Sequence, residues 1–131
     1  MNKSLQEKGE SVRRQVLGDD YVDQAQAKAD DFSRPFQAVL NEYCWGMVWT
    51  DDALDLKQRS LLNLGMLAAL GRMDEFGTHF RGALRNGLSD EELRGALIQI
   101  AIYCGVPAGV EAFRVARKAR ENMGPTDVAP T

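Results

Sequence analysis

The only histidine of the chain, His79, sits in Phe76-Gly-Thr-His79-Phe-Arg-Gly-Ala83. Phe76, His79 and Ala83 are spaced i, i+3, i+7, which puts the imidazole on or beside an apolar helix face. Imidazole is the commonest general acid–base near neutral pH, but a half-buried core histidine bonded to a backbone carbonyl satisfies the same pattern. Arg59 opens a segment that turns apolar after Ser60. A cation in a first helical turn opposes the helix dipole, and a guanidinium there is either a solvated end or a clamp for a carboxylate. Glu42, Cys44 and Trp45 cluster in Asn41-Glu-Tyr-Cys-Trp-Gly46. A carboxylate beside an indole can have a raised pKa and act as an acid. Cys44 is a packed small side chain or a nucleophile, with no basic residue flanking it in sequence. Arg81 and Arg85 are i, i+4 on one helix face, either a solvated basic face or an anion contact.

One histidine cannot form a His₂ metal site, and no Gly-rich phosphate loop or GxSxG elbow is present. No tightly bound metal or nucleotide is therefore expected. The 131 residues suit one domain, with 44% hydrophobic and 27% charged residues and a net charge of −3. With a pI near 5.2, the balance argues against nucleic-acid and anionic-membrane partners. No apolar run approaches the ~20 residues that span a bilayer. Residues 1–9 lack an apolar stretch and a cleavage site, so no signal peptide is expected. The two cysteines, 60 residues apart in the sequence, are expected to be reduced thiols of a cytoplasmic protein.

The elements that must position these residues read as helices throughout. Asn2–Gln15 is a short polar helix weakened by Gly9, and Asp19-Asp20 mark a break. A helix starts near Ser33, with Pro35 in its first turn and Phe36, Val39, Leu40, Tyr43 and Met47 as one apolar stripe. Residues 50–55 form a polar loop. Leu56–Leu70 is apolar on nearly every side, which predicts a helix buried from several directions. Glu75–Asn86 follows, with Gly87 as a left-handed cap. Ser89 and Glu92 form a capping box before a stripe of Leu93, Leu97, Ile100, Ala101 and Cys104. Gly105-Val106-Pro107 breaks that helix. Ala108–Asn122 is the last, with Val110 and Phe113 inward and its basic residues mostly outward. No convincing strand pattern occurs. The expectation is an all-α fold of about six antiparallel helices in one domain, residues 1–123, followed by a disordered tail, 124–131.

Four segments taken together resemble the carboxymuconolactone decarboxylase family. They are Asn41-Glu-Tyr-Cys-Trp-Gly46, Leu56-Lys-Gln-Arg-Ser-Leu-Leu62, His79-Phe-Arg-Gly-Ala-Leu-Arg-Asn-Gly87 and Ala101-Ile-Tyr-Cys-Gly-Val-Pro-Ala108, the last followed by Ala112-Phe-Arg114. The resemblance covers roughly residues 32–120. It implies a compact helical bundle related to alkyl hydroperoxidase D, assembled as a trimer or hexamer. It also implies a decarboxylase without organic cofactor, acting on 4-carboxymuconolactone in protocatechuate breakdown or on a related lactone or keto-acid. Such a substrate is its own electron sink. The protein must hold a second carboxylate, stabilise an enolate oxygen and protonate a carbon. The resemblance thus makes His79, Glu42 and Cys44 candidate catalytic residues, with Arg59, Arg81 and Trp45 as substrate contacts. A protonated His79 or a raised-pKa Glu42 would supply the proton. The peroxidase relatives carry a CxxC before the histidine; Arg72 and Glu75 stand in those places, which argues against that thiol chemistry. Decarboxylases of the family tend to carry Ala where this chain has Cys44, so a paralogue with another substrate remains open. A thiol-based redox protein using Cys44 and a non-catalytic oligomeric binding protein are the alternatives.

Overall fold

The computed structural model describes residues 2–124. Every regular element among them is helical: α1 (Lys3–Leu17), α2 (Asp19–Ala27), α3 (Arg34–Val39), a π-helix (Leu40–Val48), α4 (Leu56–Leu70), α5 (Met73–Arg85), α6 (Asp90–Cys104) and α7 (Val106–Glu121). The all-α expectation holds, and no helix among the described residues is long and apolar enough to cross a membrane. The tail expected to be disordered lies, beyond Gly124, outside the described residues. The chain divides after Asp55 into two compact units.

In the first unit α1 packs along the π-helix. Asn2 caps α1 by accepting from the Leu5 amide at 3.0 Å. Gly18, at φ +90°, ends α1 and turns the chain into α2, where a side chain would be strained. Gly9, expected to weaken α1, is its closest approach to the π-helix. A Cβ there would fall 1.7 Å from the Asn41 carbonyl oxygen. The helix predicted from Ser33 changes winding after Val39. The Trp49 amide donates to the Cys44 carbonyl at 3.1 Å, five residues back, and the Thr50 hydroxyl donates to the Gly46 carbonyl. π-turns of this kind are rare and frequent at functional sites. The stripe read as a core face is turned outward in this chain: Phe36, Val39, Tyr43 and Met47 are exposed. The wider π-winding instead buries Asn41, Glu42, Trp45 and Gly46.

The second unit is built on α4–α7. Its core includes Leu64, Phe76, Phe80, Leu84, Leu93, Leu97 and Ile100. α5 packs on α4 and α7, and α6 on α7 and α4. The Asn86 amide ties the end of α5 to the start of α4, donating to the Ser60 hydroxyl at 2.8 Å and the Leu56 carbonyl at 3.3 Å. The capping box forms: the Glu92 amide donates to Ser89 Oγ and the Ser89 amide to Glu92 Oε1, each at 3.0 Å.

Three burial expectations are corrected. α4 buries Ser60, Leu64 and Ala68 but leaves Leu62, Met66 and Leu70 exposed, a stripe at i, i+4, i+8. On α7, Val110 and Phe113 are exposed, while Gly109, Ala112, Ala116 and Ala119 are buried. The reason is close helix approach: a Cβ on Gly109 would lie 2.4 Å from the Ala101 Cβ, so small residues make that seam. Cys104, read into the stripe of α6, is the last residue of that helix and is exposed.

Candidate active site

His79 lies in the middle of α5, one turn beyond the fully buried Phe76. Its ring is half-buried, and its Nδ1 is 3.5 Å from the side-chain amide nitrogen of Asn63 on α4. With the amide N–H as donor in this contact, Nδ1 accepts and the proton of a neutral imidazole sits on Nε2. Burial pushes the His79 pKa down to about 4, against a smaller upward pull from Glu75. At pH 7 the ring is therefore neutral. The protonated His79 expected as a proton donor is not what this environment favours; a neutral Nε2–H donor is.

Arg59 is half-buried in the first turn of α4, exactly one helical step of four residues before Asn63. Residues i and i+4 share a helix face, with Cβ atoms ~5–6 Å apart. Arg59 and the Asn63 that touches His79 thus project on the same side of α4. Arg81 is two residues beyond His79, and residues so spaced do not share a face; α5 directs it elsewhere. Gly82 and Ala83, which follow on the same helix, are buried, and Ala83 belongs to the core.

Glu42, Cys44 and Trp45 belong to the π-helix of the first unit. Glu42 is 3% exposed. Its Oε1 accepts from the Asn2 amide and from the Gln6 side chain. Burial alone would raise its pKa, but hydrogen bonds from the Tyr43 hydroxyl, Asn2 and Gln6 hold the carboxyl below its ordinary value. The raised-pKa acid expected at this position is replaced by a stably ionised carboxylate pinning α1 to the π-helix. Burial pushes the Cys44 thiol up, with Arg13 pulling weakly the other way. A reactive thiolate needs the opposite shift. The Trp45 ring stacks on Trp49, four residues further on, with centroids 4.8 Å apart.

Two residues escaped sequence reasoning. Asn63 interrupts the apolar run Leu61–Leu70, a signal that could have found it. Arg13 is 4% exposed, its Nη1 donating to Gln37 at 2.9 Å and Asn41 at 3.2 Å, with Nε unbonded. Nothing in its sequence separates it from Arg14, which is paired with Glu10, Asp19 and Asp23. Among the described residues no group of three or more His, Cys, Asp or Glu could hold a metal ion.

A neutral imidazole beside an amide can donate to an oxyanion, and a guanidinium one turn along the supporting helix can pair with a carboxylate. The model of the carboxymuconolactone decarboxylase family matches residues 34–118, and the chain belongs to that family. It is 42% identical over 123 residues to the nitrosuccinic acid decarboxylase npaB of Metarhizium robertsii, covering 94% of this chain and 86% of the relative. It is 34% identical over 116 residues to the 4-carboxymuconolactone decarboxylase of Acinetobacter baylyi, covering 88% and 87%. Relationship to two decarboxylases over nearly its whole length makes the chain a carboxy-lyase.

Proposed function

We propose that the chain removes CO₂ from a small activated dicarboxylate, without an organic cofactor. The names of both relatives describe such acids: 4-carboxymuconolactone and nitrosuccinic acid each combine carboxyl groups with an electron-withdrawing group that can receive the electrons of the breaking C–CO₂ bond. In this reading Arg59 holds the carboxylate that stays. The leaving carboxylate departs as CO₂, and its electron pair moves onto the lactone carbonyl or nitro oxygen. The His79 Nε2–H donates to that oxygen as charge develops, and water returns a proton to carbon. The observation that carries the reading is the neutral, Asn63-supported imidazole on the α5 face adjoining α4.

CO₂ release is measured with 4-carboxymuconolactone and with nitrosuccinate. At least one is expected to turn over. His79→Ala is expected to lose about 10²–10³ in kcat, the usual cost of one oxyanion donor, and Arg59→Lys to lose activity because the bidentate fork is gone although charge is kept. Turnover of neither acid, or a His79→Ala variant as fast as wild type, overturns the reading.

The same reading places the protein in the cytoplasm, in aromatic or nitro-acid breakdown, as a trimer or hexamer. Self-association is supported by the exposed Leu62, Met66 and Leu70 of α4 and by Ile98 and Ile102 of α6. Contiguous apolar surface of that kind marks an interface. Light scattering that finds a monomer at micromolar concentration refutes it.

A further inference from the structure

A second site is built into the α6–α7 hairpin. Gly105, at φ +103°, turns the chain between these helices. Gly109 lies so close to Ala101 that the two backbones are pinned together near the turn. Away from the turn, the first half of α6 and the second half of α7 line a half-open pocket of about 470 Å³. That volume is within the range of small-ligand pockets, about 300–1,000 Å³.

Its walls divide by chemistry. Phe80 of α5, Leu93 and Leu97 of α6 and Phe113 of α7 form an apolar floor. All but Phe113 are nearly inaccessible to solvent. Arg94 and Arg117 stand above that floor with Arg120. Arg120 is already neutralised by Asp90 at 2.9 Å, and Glu121 lies on the same rim. Arg94 and Arg117 make no ion pair among the described residues. The helical spacing explains the arrangement: Leu93, Arg94 and Leu97 on α6, and Phe113, Ala116 and Arg117 on α7, are i, i+1 or i+3, i+4 sets that line one face of each helix. His79 does not line the cavity.

We propose that this pocket binds a small organic anion with an aromatic body, its carboxylate held by Arg94 and Arg117 and its ring seated on the exposed Phe113. A guanidinium fork matches a carboxylate, and the phenylalanine ring of Phe113 favours an aromatic partner edge-on or offset. Arg94 and Arg117 are exposed at the rim of the pocket, so their pairing with the carboxylate is screened by solvent and the aromatic body supplies the rest of the affinity. The site is separate from the His79–Asn63 site, and its occupancy does not depend on the decarboxylase reading.

The test uses the full-length protein and ligand-observed NMR with three probes: 4-phenylbutyrate, its neutral amide, and acetate. Phenylbutyrate is expected to bind, with the amide and acetate each about tenfold weaker or worse. The double variant Arg94→Gln/Arg117→Gln is expected to weaken phenylbutyrate about tenfold while leaving the amide unchanged. His79→Gln is expected to bind phenylbutyrate like wild type. Equal affinity of the double variant, or loss of binding in His79→Gln, overturns the proposal. So does absence of binding at about 10 mM, including the case in which copies of the chain bury the cavity and the double variant changes oligomer size in light scattering.

Discussion

The side-chain amide of Asn63 on α4 meets Nδ1 of His79 on α5 at 3.5 Å. This contact links the candidate catalytic helix to the helix that bears Arg59, and with the amide as donor it leaves the imidazole proton on Nε2. Replacing the amide by a carboxylate changes the charge of the imidazole. In Asn63→Asp the nearby anion favours imidazolium, so the His79 pKa rises from about 4 toward or above its ordinary value. NMR titration of the single histidine reads this directly, and decarboxylation at neutral pH is expected to fall about tenfold or more as the neutral donor is lost. An unmoved histidine pKa in that variant refutes the contact.

His79 also shapes stability against pH. Its folded pKa of about 4 lies below the unfolded value of 6.5. Between those values the unfolded chain binds more protons, so stability is full above pH 6.5 and falls as pH drops toward 4. The loss from this one group is about 3 kcal/mol. Glu10, Glu42 and Glu92, whose pKa values are lowered, add their own loss from about pH 4.5 downward. Urea denaturation of wild type and His79→Gln across pH 4–7 separates them: the difference between the two curves isolates the histidine, and a constant difference contradicts its burial.

Glu42 works as an ionised acceptor for Asn2, Gln6 and Tyr43. Glu42→Gln places an amide NH₂ where only acceptors are wanted, so its melting temperature is expected to fall. Because the carboxyl is ionised well below neutrality, the substitution should remove no neutral limb from the pH–rate profile. Loss of such a limb would restore Glu42 as the titrating acid.

Gly9 tests the docking of α1. A methyl group there collides with the Asn41 carbonyl, a backbone atom that cannot swing away. Gly9→Ala is expected to cost about 3 kcal/mol, at the upper end of overpacking effects. Gly95 on α6 is the control, since a Cβ there meets nothing within 4 Å. Gly95→Ala should stabilise by about 0.5–1 kcal/mol through helix propensity. Chemical denaturation measures both, and a Gly9→Ala protein as stable as wild type refutes the close packing of α1 on the π-helix.

The sequence by itself determined the helical class and several helix ends, because these depend on near neighbours: the Ser89–Glu92 box, Gly87 and Gly105 beyond helix ends, and 3.6-residue periodicity; it did not mark α2, whose first turn holds the Asp19-Asp20 read as a break. It also determined the family, through segments whose order survives along the chain. Which apolar residues are inside was decided by the tertiary structure. Periodicity marks a stripe but does not say which of two stripes meets a neighbour, and on α7 the alanine and glycine face won because it allows closer approach. The π-winding at Leu40–Val48 was equally invisible, since it exchanges one hydrogen-bond register for another without a local composition signal. The protonation of His79 and Glu42 came last. A pKa is set by burial and by partners from other elements, Asn63 for one and Asn2 and Gln6 for the other, and no spacing within a single helix encodes that environment.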